Sequence, residues 1–518
     1  MARMTESSAP HELAAPAPPP ALFSRNPLAW LSVFGPGAII ASLTIGTGEL
    51  IFSSRGGAIF GYRVLLLFVV ILVLKWTLVF TTARHMVLTG VHPFRRWMDL
   101  PVGPRGWFPL LLFLLAAVCI PIWVSFHAGV LGNFLSWITH TSERFNGGAD
   151  SLWGGLVLAG VLTLSSVGGY SALERVQLAI VIALLLSVSV ALVLYHPDWL
   201  ALLTGAVVPQ QLEYPAWLSE EYPKIAARPV WLETTLYVGV IGGAGYDYLA
   251  YTSFLRDKRW GLAGAQANSP VRLDDVAADP HHPVRRWVRA PLIDCTFSFI
   301  VVLIFSAVFV ASGTVVLGPA HQVPTDTNFL QNQARFVTDL HPWLYPLYVV
   351  GVLLTMLGTL YGTLEVAPTV FREIARAVGA KATSVAARRG RLIAVGWCAV
   401  GAYTILAWSL ARQLWGRDAK PPSLLAILTP ANLFTGVLCC GLICLLNPWM
   451  DRRFLPRPLR MPRVLWVANL LAGVIFIGLG LKGYWDHSGW LAMGILLGTV
   501  ALGWAAAAWF AGARHEQR

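Results

Sequence analysis

The apolar runs of this chain recur at lengths set by a lipid bilayer. They cover residues 29–60, 62–83, 107–133, 152–168, 170–195, 230–255, 291–318, 343–370, 391–411, 423–447, 463–482 and 488–511. About 20 apolar residues cross the hydrocarbon core as a helix. Only helices and closed barrels satisfy their own backbone there. The sequence therefore predicts an all-α integral membrane protein with about twelve transmembrane helices. Charged residues make up 12% of the chain, roughly half the share of a soluble protein, so no soluble catalytic domain fits.

Two of these spans carry glycine in their middle. The first contains Ile45-Gly46-Thr47-Gly48-Glu49, and the sixth contains Ile241-Gly242-Gly243-Ala244-Gly245-Tyr246-Asp247. Glycine costs about 1 kcal/mol in a helix interior, and an acid at membrane depth costs more. Paired broken spans bearing charge mark the substrate site of a secondary transporter. Spans 1–5 and 6–10 each open on a broken helix. With five spans per half, the second half enters the membrane from the opposite side, a 5+5 inverted repeat. Spans 11 and 12 are two extra helices.

The net charge of +12 does not indicate nucleic acid, because of where the charges lie. Arg84, Arg95, Arg96 and Arg105 follow span 2, while Arg256, Lys258, Arg259, Arg285, Arg286 and Arg289 follow span 6. Further clusters follow spans 8 and 10, whereas loop 196–229 carries Glu213, Glu220 and Glu221. Basic loops mark the cytoplasmic side. The expected order is a disordered cytoplasmic tail (1–24), helices 1–5 (25–195), an external loop (196–229), helices 6–10 (230–447), then helices 11–12 with a cytoplasmic C-terminus (448–518). The protein is expected to be multi-pass in a plasma or inner membrane, with both termini cytoplasmic. All six cysteines fall inside apolar spans and read as small core residues.

Several motifs resemble the Nramp family of divalent metal transporters. They are Gly35-Pro36 opening span 1, Phe60-Gly61-Tyr62 opening span 2, Arg84 and Thr89-Gly90 closing it, Leu173-Glu174 in span 5, and Gly362-Thr363-Leu364 in span 8. The resemblance covers roughly residues 27–450 and implies the LeuT-like fold. Its departures concern the site. Where the family has Asp-Pro-Gly-Asn, this chain has Gly46-Thr47-Gly48-Glu49. The family's Met-Pro-His falls near Gly245-Tyr246-Asp247 or Tyr246-Asp247-Tyr248. Gly129 stands where the family has Glu.

Loss of the soft methionine sulfur removes a preference for transition metals. Carboxylates, hydroxyls and carbonyls suit a hard cation instead. The candidate substrate site comprises Gly46, Thr47, Glu49, Gly245, Tyr246, Asp247 and Tyr248, with Glu49 and Asp247 as metal ligands. Unwound backbone at both breaks is expected to offer bare carbonyls. Glu365 and His127 are candidates for proton coupling. Each has a structural alternative: Glu365 as a carboxylate bonded to a neighbouring helix, His127 as a core histidine, and Glu49 as a first-turn cap. Asp247 shows no capping rationale in the sequence.

These features predict a secondary active transporter that moves a cation, first a divalent metal ion, by alternating access. The alternatives are a transporter of a small organic cation or amino acid, with tyrosine faces as ligands, and a non-transporting sensor or scaffold. In the last, Lys75 or Arg55 would neutralise Glu49. No nucleophile–base set supports an enzyme, and no cofactor or nucleic-acid partner is expected.

Overall fold

The computed structural model describes residues 17–30, 35, 37, 44–167, 183, 186–187, 189–190, 192–264, 272–325, 328–379, 384–415 and 423–515. Most of the predicted tail, Pro36, the Leu173-Glu174 pair with most of the fifth span, and the Thr47 side chain lie outside the described residues.

Among the described residues every regular element is helical. Eight stretches are long and apolar enough to cross a membrane. Two of them each reach over two predicted spans: Gly48–Thr89 holds the latter part of span 1 and all of span 2, and Arg463–Trp509 covers spans 11 and 12. The sixth span is interrupted and falls into two shorter helices.

In chain order, α1 is a π-helix, Ile45–Ser53, running on into Ser54–Phe60. The next helices are α2 (Leu65–Thr89), α3 (Trp107–Ile138) and α4 (Ala149–Val167). The broken span supplies α5 (Val230–Val240) and α6 (Gly245–Asp257). Then follow α7 (Arg289–Ser312), α8 (Tyr345–Ala377) and α9 (Ser384–Trp415). A further helix, α10, runs through Leu424–Asn432, a π-segment Leu433–Leu438, and Cys439–Phe454. The last, α11 (Arg463–His515), is kinked at Ser488 and Gly489.

Two groups of helices emerge from the packing. α3 lies against α4, α8 and α9, while α7 lies against α1 and α2. The groups meet where α8 touches the π-segment of α1 and where α6 touches α8. The repeat shows in α3 and α8, the third helix of each half, which are 32 and 33 residues long and each carry an internal proline. The six cysteines are buried and free.

Candidate substrate site

The second break is an unwound segment. α5 gives way at Ile241, and α6 begins at Gly245. Between them Gly242 (φ 80°) and Gly243 (φ 98°) take left-handed torsions that glycine adopts without strain. In hydrocarbon the freed backbone groups must find partners, and here side chains supply them. The Gly242 N–H donates to Glu49 Oε1 at 2.9 Å, and the Ala244 N–H to Asp247 Oδ2 at 2.8 Å. Tyr248 donates its hydroxyl to Gly242 O at 2.6 Å. Lys75, from α2, donates through Nζ to Ile241 O at 2.7 Å and Gly243 O at 2.6 Å.

Two expectations are corrected here. The carbonyls of this break are not bare, because Lys75 and Tyr248 occupy them. The roles of the two acids are also exchanged. Asp247 caps its own helix by accepting the Ala244 N–H, which is the Asp half of a capping box. Glu49 instead reaches across to the other break, and its Oε2 is buried without a partner among the described residues.

The first break also departs from expectation. Residues Ile45–Ser53 form a continuous π-helix rather than unwound chain. Such widened turns are frequent at functional sites. Gly46 and Gly48 permit close approach: a Cβ on Gly46 would collide with the Thr359 hydroxyl of α8, and one on Gly48 would stand 2.6 Å from Val240 O. The second obstacle is backbone and cannot swing aside. Gly48→Ala is therefore expected to destabilise the protein by about 1–3 kcal/mol. Thermal unfolding in detergent measures this, and an unchanged midpoint would reject the close-packing role.

Beside the breaks lies a cavity of about 50 Å³, room for about three waters. Thr44, Trp123, His127, Asp247, Thr363 and Thr435 line it, together with Gly48, Tyr246 and backbone of the second break. The His127 ring packs 5.5 Å from that of Trp123, and its Nδ1 is buried without a partner among the described residues. Trp123 donates its indole N–H to Thr435 Oγ1 at 3.0 Å. Gly245 packs against Cys439. Among the described residues no group of three or more His, Cys, Asp and Glu is placed to hold a metal ion.

The structure thus brings Gly48, Tyr246, Asp247 and His127 to the chamber, and sets Glu49, Lys75 and Tyr248 about the adjoining break. It does not bring Glu365 there. That carboxylate forms a two-pronged ion pair with Arg391 of α9, both contacts 2.6 Å, and accepts the Ser165 hydroxyl at 2.8 Å. The coupling expectation for Glu365 is corrected to a helix-bridging ion pair. Neither cation suspected of neutralising Glu49 makes that bond: Arg55 turns to Glu233, and Lys75 to the break carbonyls.

Two buried acids inside the predicted spans were missed. Glu233 pairs with Arg55 at 2.5 Å. Asp294 of α7 accepts the N–H groups of Gly35 at 3.0 Å and Gly37 at 2.7 Å, and the Tyr251 hydroxyl at 2.9 Å. It ties the start of the first span to α6 and α7. The available signal was an ionisable residue inside an apolar span.

Broken and widened helices around a small polar chamber, within an all-helical membrane protein, define a transporter of LeuT-like fold. The family model for natural resistance-associated macrophage protein-like proteins, Nramp, matches residues 37–486. The chain belongs to the Nramp family, a family of transporters and not of enzymes. The fold is similar to that of the Eremococcus coleocola manganese transporter solved with an aromatic bis-isothiourea substituted compound, at 14% identity and TM-score 0.68, covering 93% of this chain and 94% of that one. It is also similar to MhsT in complex with L-phenylalanine, at 15% identity and TM-score 0.51, covering 86% and 98%. No curated protein matches the sequence.

Proposed function

We propose that this protein is a secondary active transporter of a small cation, first of all a divalent metal ion, working by alternating access through an altered site. The observation that carries this reading is the chamber itself. It is small, lined by three threonines, His127 and Asp247 among apolar residues, and adjoined by Glu49, whose Oε2 has no partner among the described residues. With both carboxylates ionised, they outnumber the Lys75 ammonium beside them, and the site attracts cations. The donors are mostly hard oxygens, suited to Mg²⁺, Ca²⁺ or Mn²⁺, with His127 the one imidazole. Manganese is the named substrate of the Eremococcus coleocola neighbour, which supports including it.

Lys75 has a defined part in this reading. Its ammonium already fills the carbonyl groups of the second break, so a guest cation binds on the Asp247 side. His127, which lines the chamber and whose Nδ1 has no partner among the described residues, is the candidate proton acceptor. Basic loops on one face support cytoplasmic termini.

The organic-cation reading is weaker on two counts. The chamber holds about three waters, less than an amino acid needs. The tyrosines are also engaged: Tyr246 donates to Leu112 O, Tyr248 to Gly242 O and Tyr251 to Asp294.

Uptake of Mn²⁺, Mg²⁺ and Ca²⁺ into proteoliposomes, with a pH-sensitive dye inside, tests the proposal. Accumulation of at least one ion is expected. Silence for all three would reject the metal reading and favour an organic substrate or a non-transporting protein.

A further inference from the structure

Away from the chamber, at the foot of α7, three arginines meet an apolar wall. Arg285 and Arg286 belong to a short helix, Pro283–Trp287, and Arg289 is the first residue of α7. With Phe23 and Trp30 they line a groove of about 660 Å³ that continues along Leu292, Phe297 and Ile300. The guanidinium of Arg286 lies 4.2 Å above the Phe23 ring, and that of Arg289 is 5.6 Å from Phe23 and 6.0 Å from Trp30. Stacking of this kind fixes the guanidinium planes and leaves their N–H edges available.

No described carboxylate forms an ion pair with any of the three. Arg285 makes one long bond, 3.4 Å to Ala277 O. Arg286 and Arg289 are exposed. The wall above them is exposed too: Leu292, Phe297, Ile300 and Ile304 are 36–49% accessible and follow helical spacing along one stripe of a membrane-spanning helix. The groove therefore joins three arginines without an ion pair to any described carboxylate to an exposed apolar stripe of a membrane-spanning helix.

We propose that this groove is a binding site for an anionic phospholipid. The arginines take the headgroup phosphate through charge-assisted hydrogen bonds, and an acyl chain lies along Leu292, Phe297 and Ile300. Charge selects the occupant. Three cations with no partner acid among the described residues suit a lipid of net negative charge, whereas a zwitterionic headgroup would bring a cation of its own among the arginines. Basic pockets beside transmembrane helices are suited to such headgroups. The inference is independent of the transported substrate.

Native mass spectrometry of the full-length protein in detergent, titrated with phosphatidylglycerol, phosphatidylcholine or inorganic phosphate, tests it. Phosphatidylglycerol is expected to bind about tenfold or more tightly than phosphatidylcholine, and inorganic phosphate not to be retained. The R285A/R286A/R289A variant should bind phosphatidylglycerol no better than phosphatidylcholine. R388A/R389A, in α9, should behave as wild type. If the triple variant fails to fold, R286E carries the same expectation at an exposed position. Equal binding of both lipids, retention of phosphate alone, or unchanged phosphatidylglycerol binding in the variant would each overturn the site.

Discussion

Glu49→Gln is expected to abolish cation uptake while leaving the fold intact. Glutamine keeps a carbonyl oxygen to accept the Gly242 N–H, the bond Glu49 Oε1 makes at 2.9 Å. Its amide nitrogen replaces Oε2, which has no partner among the described residues. What disappears is the charge. Asp247 and Lys75 then cancel, and the site no longer attracts a cation. Two unit charges 4 Å apart interact by about 4 kcal/mol at an effective dielectric of 20, so the loss is on the order of a hundredfold or more in affinity. Glu49→Ala should lose uptake equally. It should also unfold more easily, because the buried Gly242 N–H is left unsatisfied, at about 1–3 kcal/mol. Proteoliposome uptake beside a thermal unfolding curve separates the two effects. Uptake by Glu49→Gln within twofold of wild type would reject the assignment.

The parts of this arrangement that were legible in the sequence are those written locally. Gly242-Gly243 announces an unwound segment because few other residues take left-handed torsions twice in succession. The long apolar helices were legible because hydrophobic length is a local property. What remained hidden depends on partners far along the chain. Glu49 meets Gly242 across 193 residues and Arg55 meets Glu233 across 178, and no periodicity reports such a meeting. Asp247 was misjudged for a different reason. Its cap receives an N–H from Ala244, only three residues back, but the signal was obscured by reading the preceding small residues as the break itself. Gly46 and Gly48 illustrate a third case. Glycine in a span can signal unwinding or close approach, and only the facing Val240 carbonyl decides between them.

Glu233→Ala is the single substitution expected to cost the most stability. Arg55 and Glu233 are each 1% exposed. Their contact is two-pronged, Nε to Oε1 at 2.5 Å and Nη2 to Oε2 at 3.2 Å. The remaining capacity is also used: Arg55 Nη1 donates to Pro324 O at 2.7 Å, and Tyr237 donates its hydroxyl to Glu233 Oε1 at 2.9 Å. Removing one member of such a buried pair strands a charge and costs about 3–5 kcal/mol. Replacing both by apolar residues of similar size is often neutral. The double variant Arg55→Met/Glu233→Leu should therefore regain part of the stability lost by Glu233→Ala, because it strands no charge but leaves the Tyr237 hydroxyl and the Pro324 carbonyl without these partners, at about 1–3 kcal/mol for each that stays unsatisfied. Its effect on transport is the more informative readout. The pair joins α1 to α5, the first helix of each repeat, so it holds the two broken spans in register. If that register is what transport needs from the pair, the stable double variant should transport more slowly than wild type despite normal folding. If the pair serves stability alone, the double variant should transport at the wild-type rate.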